Sequence, residues 1–283
     1  MKLARYRLID GRTSFGVVTG AQVTALDHRI PSFEALAAAP STGLPQRGDP
    51  HCDLAEVAWE PPIGTHAKIV CVGYNYATHA RETGTQLPEW PTLFTRYPDS
   101  LVGSGQPVVR PTDTDSLDWE GEVAVVIGAP ARRVPSHAAA DYIAGFTCLA
   151  ENSVREWQQH STQATAGKNW AASGACGPWL VTSDEVGEEP MELTTRLNGQ
   201  VMQHDTTAHL TFSFAHLISY ISAFTPLRAG DVIATGTPSG IGLRREPPRY
   251  LRPGDELEVE VERVGLLSHA VIDEAGATPV ETP

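Results

Sequence analysis

The stretch DWEGEVAVVIGAP, residues 118–130, carries three carboxylates at a strict spacing of two, Asp118, Glu120 and Glu122, and then turns apolar. Side chains on a strand alternate faces, so residues two apart share one. Read as a strand, the three acids point one way and Val123, Val125 and Ile127 point the other. Ala124 and Val126 continue the acidic face without charge. Apolar residues on both faces mark a strand covered on both sides, so the acids belong to the end of a buried strand. Two carboxylates on one strand face lie ~6–7 Å apart, and at an effective dielectric of ~20 they repel by roughly 2–3 kcal/mol. A buried site tolerates that repulsion only if a proton or a cation offsets it.

A second stretch, DELEVEVERVG at 255–265, serves as a control. Glu256, Glu258, Glu260 and Glu262 repeat the spacing, but Leu257, Val259 and Val261 alternate with them cleanly. That is the pattern of an antiparallel strand with one face in water. The spacing alone therefore does not make a site. The apolar continuation on both faces separates the first stretch from the second.

The rest of the chain suits a turn-rich, mainly β protein. Its 283 residues, 41% hydrophobic and 19% charged, fit one large domain or a large one with a small partner. The 25 glycines and 22 prolines favour β structure over helix bundles. A net charge of −13 argues against a nucleic-acid or anionic-membrane surface. Cys52, Cys71, Cys148 and Cys176 form no CxxC pair, so neither a zinc ribbon nor a redox motif is indicated. The N-terminus has no apolar signal core and no segment approaches a membrane span, which predicts a cytoplasmic protein.

Short β-like runs and a Pro/Gly-rich stretch at 39–53 predict a small N-terminal domain and linker over residues 1–65, with the main domain at 66–283. KIVCVGYNY reads as a strand entering a turn. NYATHARETG reads as a short helix, with Asn75 as N-cap and Gly84 as the stop. SFAHLISYISAF places Phe214, Leu217, Ile218, Ile221 and Phe224 at helical spacing. GDVIATGTPSGIG reads as a strand running into a glycine-rich turn.

Several residues have the chemistry for a site, each beside a plainer reading. His79 and Glu82 share a helix face, as a general acid/base pair or a surface ion pair. Glu151 follows an apolar strand, as a metal ligand or as a charge favoured by the following helix N-terminus. Lys168 suits an anionic substrate or a solvated surface. TGTPSGIG matches neither a Walker loop nor GxGxxG. Its backbone N–H groups form a nest for a carboxylate or an ordinary turn.

Taken in order, CVGYNYATHARE, FTRYPDSLVG, DWEGEVAVVIG, GFTCLAENSVREWQ, TAGKNWAASGACGPWLVT, LNGQVMQ and PLRAGDVIATGTPSGIG resemble the fumarylacetoacetate hydrolase family over about residues 66–270. The resemblance implies an α+β, mainly β fold of mixed rolled sheets with a small N-terminal domain, and a homodimer. It implies Mg2+ or Mn2+ held by Glu120, Glu122 and Glu151, with Asp118 in an outer shell or at a solvated strand end. His79 and Glu82 would activate water beside the catalytic Lys168, while Tyr74, Arg96, Gln203 and Thr237 would meet a small-molecule keto-acid substrate. The implied reaction is hydrolysis of a C–C bond in an acylpyruvate-like β-diketo acid through a metal-bound enolate. Decarboxylation, isomerisation and hydration or dehydration are the alternatives on the same scaffold. Two departures stand out: Ala150-Glu151 where the family reads Asn-Asp, and Ala171 and Ala172 after the lysine.

Overall fold

The computed structural model of the protein describes residues 1–39, 44 and 49–276. Much of the Pro/Gly-rich stretch expected as a linker at 39–53 lies outside the described residues. In chain order come β1 (Lys2–Leu8), β2 (Thr13–Thr19), β3 (Gln22–Ala25), α1 (Phe33–Ala37), β4 (His51–Asp53) and β5 (Val57–Glu60). Next are β6 (Ile69–Gly73), α2 (Ala77–Thr83), β7 (Thr92–Arg96), β8 (Leu101–Val102), β9 (Val108–Arg110) and β10 (Leu117–Asp118). The middle of the chain forms β11 (Gly121–Ile127), β12 (Ile143–Ala150), β13 (Ser153–Val154), α3 (Arg155–Gln158), α4 (Thr165–Lys168), β14 (Gly174–Thr182) and α5 (Ser183–Val186). The last elements are β15 (Glu192–Leu197), β16 (Gln200–Thr206), α6 (Phe214–Phe224), β17 (Val232–Ala234), β18 (Glu256–Val261) and β19 (Gly265–Asp273).

These strands make one mixed twelve-stranded sheet, ordered β4-β3-β2-β1-β14-β12-β11-β17-β6-β7, with β5 on β1 and β8 on β14. A five-stranded sheet, β16-β15-β18-β19-β9, and the pair β10-β13 complete the β structure. The fold is therefore mainly β with mixed sheets, as the sequence predicts. Strand β11 is buried along its whole length. Val123, Val125 and Ile127 enter one apolar cluster. Ala124 and Val126 enter another, with Leu149, Val232 and Ala234. By contrast, β18 buries Leu257, Val259 and Val261 and turns its glutamates outward, as alternation requires.

The topology places the site. Strand β11 runs antiparallel to both β12 and β17, with Gly121 opposite Ala150 and Ala124 opposite Ala234. Strands β17 and β6 run parallel. The start of β11, the end of β12 and the ends of β6 and β17 thus meet at one rim of the sheet. In open sheets with parallel neighbours, ligands gather where strand ends converge. The segments that leave this rim carry Glu120, Glu151, Tyr74 and Thr237.

Two local expectations are corrected. The acidic stretch is not one strand: it breaks at Trp119, which is fully buried and donates its indole N–H to Gly240 O at 3.1 Å. Asp118 therefore belongs to β10, which pairs with β13 rather than extending β11. Asn75 is not the cap of α2, whose N-cap position is Tyr76 without a side-chain bond. Instead it is fully buried, donating to Phe212 O and Thr235 O and accepting from Phe212 N at 2.7 Å. It ties the turn after β6 to the turn after β17. Gly84 ends α2 as expected, at φ +72°.

Candidate active site

Glu120, Glu122 and Glu151 present carboxylate oxygens within 4.8 Å of one another, and all three are buried. Register brings them together. Glu122 is the second residue of β11, Glu120 immediately precedes that strand, and Glu151 immediately follows β12. The Glu151 amide donates to Glu120 O at 2.8 Å, which fixes the two segments side by side. Gly121, between the two glutamates, has no room for a side chain: a Cβ there would lie 2.0 Å from Thr195 Oγ1.

The three carboxylates have unequal surroundings. Glu151 accepts from Arg96 Nη1 at 2.8 Å and pairs closely with Lys168. Glu120 pairs with Arg155 Nη1 at 2.7 Å and Lys168 Nζ at 3.1 Å, and accepts from Ser153 Oγ at 2.6 Å. Burial would raise its pKa, but Lys168 and Arg155 outweigh burial and hold the carboxyl at about 2. Among the described residues Glu122 accepts a hydrogen bond from the Gly236 amide alone, at 2.8 Å. Among the described residues no cation forms an ion pair with it. Burial first, then the charge of Glu151, pushes its carboxyl well above the ordinary carboxylate range. Three buried acids gathered together, one lacking a cationic partner, fit a hard divalent cation bound through oxygen.

Asp118 is fully buried, which removes the solvated reading. It accepts from Gly242 N at 2.7 Å, Leu243 N at 3.0 Å and Arg155 Nε at 2.8 Å. Arg155 therefore bridges Asp118 and Glu120. The same aspartate anchors the turn at 242–243.

His79 and Glu82 meet on α2, with Nδ1 of the ring 3.2 Å from Glu82 Oε2. Glu82 Oε1 accepts from the Gly240 amide at 2.8 Å, so the dyad is tied to the turn after β17. Tyr74 stacks on the His79 ring at 5.9 Å between centroids. That turn must contain Gly236, whose φ of +103° and proximity to Asn75 Cβ, 2.8 Å from a hypothetical Cβ, exclude side chains.

A cavity of about 460 Å³ opens onto these groups, lined by Tyr74, His79, Glu120, Glu122, Lys168 and Thr237 among others. Six of the sequence-derived site residues therefore share one space. Glu82 stands behind His79, and Glu151 lies behind the wall with its carboxylate in the triad. Arg96 and Gln203 do not line the cavity. Arg96, 1% exposed, holds Glu151, Asn152 O, Ser100 and Ser173. Gln203 accepts from Gly121 N at 3.0 Å and donates to Thr237 Oγ1 at 2.8 Å. Thr237 in turn donates its hydroxyl proton to Gly121 O at 2.9 Å. These two residues hold the backbone and side chains that the site uses.

Arg155, Gln158 and Arg244 also line the cavity and were missed in the sequence. Arg155 and Gln158 lie three apart at a helix start, and Arg155 Nη1 donates to Gln158 Oε1 at 2.9 Å. The spacing was visible in VREWQ, whereas the pairing of Arg155 with Asp118 spans 37 residues and was not.

The family model described as fumarylacetoacetate (FAA) hydrolase C-terminal matches residues 68–272. The mitochondrial oxaloacetate tautomerase FAHD2A of Bos taurus is 37% identical over 221 residues, covering 77% of this chain and 70% of its own length. Among solved structures, the fumarylacetoacetate hydrolase of psychrophilic Exiguobacterium antarcticum superposes with a TM-score of 0.85 at 30% identity, covering 97% of this chain and 100% of its own. A 5-carboxymethyl-2-hydroxymuconate delta-isomerase from Mycobacterium smegmatis gives 0.79 at 32% identity, with coverage of 97% and 100%. Among the described residues no helix is long and apolar enough to cross a membrane.

Proposed function

The chain belongs to the fumarylacetoacetate hydrolase family, and from that premise we propose that it is a divalent-metal enzyme acting on a small 2-keto acid through an enolate. The observation that carries the reading is Glu122, a buried carboxylate within 4.8 Å of two others and without a cationic partner among the described residues, facing a cavity shared with an acid/base dyad. Glu120, Glu122 and Glu151 would hold Mg or Mn, since an all-oxygen donor set suits a hard cation. Bound there, the ion supplies Lewis-acid polarisation of the keto oxygen.

The protein's own groups do the rest. Glu82 takes Nδ1–H of His79, which leaves Nε2 with its lone pair as the base. Nε2 removes a proton from the carbon beside the keto group and the resulting imidazolium delivers it to the enolate oxygen; the same path in reverse takes the enol to the keto form. Lys168, buried at the inner end, offsets negative charge on the substrate's carboxylate. Thr237, held by Gln203, fixes the strand that carries the glutamates.

Keto–enol isomerisation is the reaction we favour, supported by the relatedness to an oxaloacetate tautomerase and by the isomerase among the solved structures. Hydrolysis of a C–C bond in an acylpyruvate is the second reading, supported by the likeness to a fumarylacetoacetate hydrolase. In that case His79 Nε2 takes its proton from water instead. The deciding experiment supplies manganese and measures enol decay of oxaloacetate by absorbance, alongside product analysis on a panel of acylpyruvates. Enol decay that depends on metal and on His79 supports isomerisation, and pyruvate released from an acylpyruvate supports hydrolysis. Absence of both reactions in metal-loaded protein would exclude the enolate reading.

A further inference from the structure

Tyr74 carries backbone strain at the edge of the cavity. Among the described non-glycine residues with positive φ, it is the one that lines this space. Its φ is +56°, in the left-handed region that a bulky side chain rarely enters. A glycine takes that conformation freely. The neighbours hold the bend in place. Gly73 ends β6. Asn75 is fully buried, its side chain bonded to Phe212 and Thr235 and its carbonyl accepting from Thr211 N at 2.7 Å. Tyr76 is fully buried and bridges to Leu210. Strain of this kind persists where the surroundings over-determine it, and it gathers at sites that use it. The backbone needs only the bend, so the aromatic side chain calls for its own explanation.

The ring of Tyr74 lies against the face of His79, with centroids 5.9 Å apart and planes 18° from parallel. That is an offset stack. Glu82 holds the imidazole through Nδ1, at 3.2 Å, the long end of a hydrogen bond. Such a bond sets a direction in the plane of the ring. It leaves the ring free to tilt about that direction, since the second side-chain torsion of histidine is broad. A flat ring against one face removes that freedom. Two contacts then aim Nε2, one in the plane and one across it. The stack also favours the imidazolium that forms when Nε2 takes a proton, because an aromatic face attracts a cation within about 6 Å.

His79 is the base in both readings of the reaction given above. Resting on that role, we infer that Tyr74 is a positioning residue, which holds the His79 imidazole by its ring face so that Nε2 points at the reacting atom. The left-handed bend at the end of β6 presents the ring to α2. The contact is made by the ring rather than the hydroxyl. Phenylalanine therefore serves in its place, and an aliphatic side chain of similar bulk does not. Misplacing a reacting group by about 1 Å costs on the order of 10² in rate.

The test compares Tyr74→Phe, Tyr74→Leu, Tyr74→Ala and Tyr74→Gly by two readouts. The first is steady-state turnover with manganese, by enol decay of oxaloacetate or by pyruvate release from an acylpyruvate. Tyr74→Leu should lower kcat by about 10–100-fold with KM unchanged, and Tyr74→Phe should restore most of the rate. Tyr74→Gly relieves the bend, so it should melt no lower than Tyr74→Ala and yet be as slow. The second readout needs neither metal nor substrate: nitrogen NMR of the imidazoles, with His79 assigned by its loss in His79→Gln. Wild type and Tyr74→Phe should show one neutral tautomer, protonated at Nδ1, and Tyr74→Leu should show the two nitrogens averaged. Wild-type kcat in Tyr74→Leu or Tyr74→Gly would overturn the inference, as would a Tyr74→Phe enzyme no faster than Tyr74→Leu. So would a His79 signal that Tyr74→Leu leaves unchanged. If wild type turns over neither substrate, the reading of the reaction fails, and the spectra alone decide whether Tyr74 holds the ring.

Discussion

Replacing Glu122 by Gln removes one charge from the buried triad and keeps an acceptor for the Gly236 amide. Carboxylate oxygens within 4.8 Å of one another repel by roughly 3 kcal/mol per pair at an effective dielectric of ~20. Lys168 lies against Glu120 and Glu151 and offsets part of this, so the net gain expected for the metal-free protein is about 1–3 kcal/mol. For a chain of this size each kcal/mol moves Tm by about 2–4 °C, which gives a rise of roughly 2–12 °C. Metal should offset that advantage: at about 100 times Kd, binding stabilises wild type by about 2.7 kcal/mol, and the variant should lose most of that. The assay is scanning calorimetry of chelator-treated protein near pH 8, with and without manganese. A variant that melts below wild type without metal, yet gains as much from manganese, would refute the electrostatic reasoning about this carboxylate.

Three further outcomes are expected. His79→Ala should lower kcat by about 10²–10⁴-fold with metal affinity unchanged by titration, and adding Glu82→Gln should cost little more because the two act as one unit. Arg96→Met removes the donor that fixes Glu151 Oε1 and should weaken manganese binding by about 10–100-fold, read by calorimetric titration. Burial holds the His269 pKa at about 4, below the unfolded value of 6.5. The neutral ring's contribution to stability is therefore complete above pH 6.5 and is lost as pH falls toward 4, by roughly 3 kcal/mol in all. Denaturant unfolding of wild type and His269→Gln across that range should show a markedly flatter pH dependence for the variant.

Much of the site could be read from the sequence because its chemistry is local. The two-faced apolar run after Glu122 marked a buried strand, and β11 is one. The HxxE spacing placed a dyad on one helix face, and His79 and Glu82 do touch there. What escaped was set by contacts between distant segments. Nothing near Asp118 announces that the chain breaks at Trp119, or that its carboxylate will hold amides 124 and 125 residues away. Asn75 has the composition of a helix cap, yet its amide is claimed by Phe212 and Thr235 across two turns. Arg96 and Gln203 sit in motifs that resemble substrate-binding blocks. Their donors and acceptors are engaged by Glu151, Gly121 and Thr237, which no spacing rule reveals.

The central claim is that these three glutamates hold a divalent metal facing the His79 cavity. Anomalous diffraction from crystals soaked with manganese, recorded on either side of its absorption edge, tests this most directly. Wild-type crystals should show one peak bounded by carboxylate oxygens of Glu120, Glu122 and Glu151, absent in Glu122→Gln crystals treated alike. A fully soaked wild-type crystal with no peak among these residues, or with its strongest peak elsewhere, would contradict it.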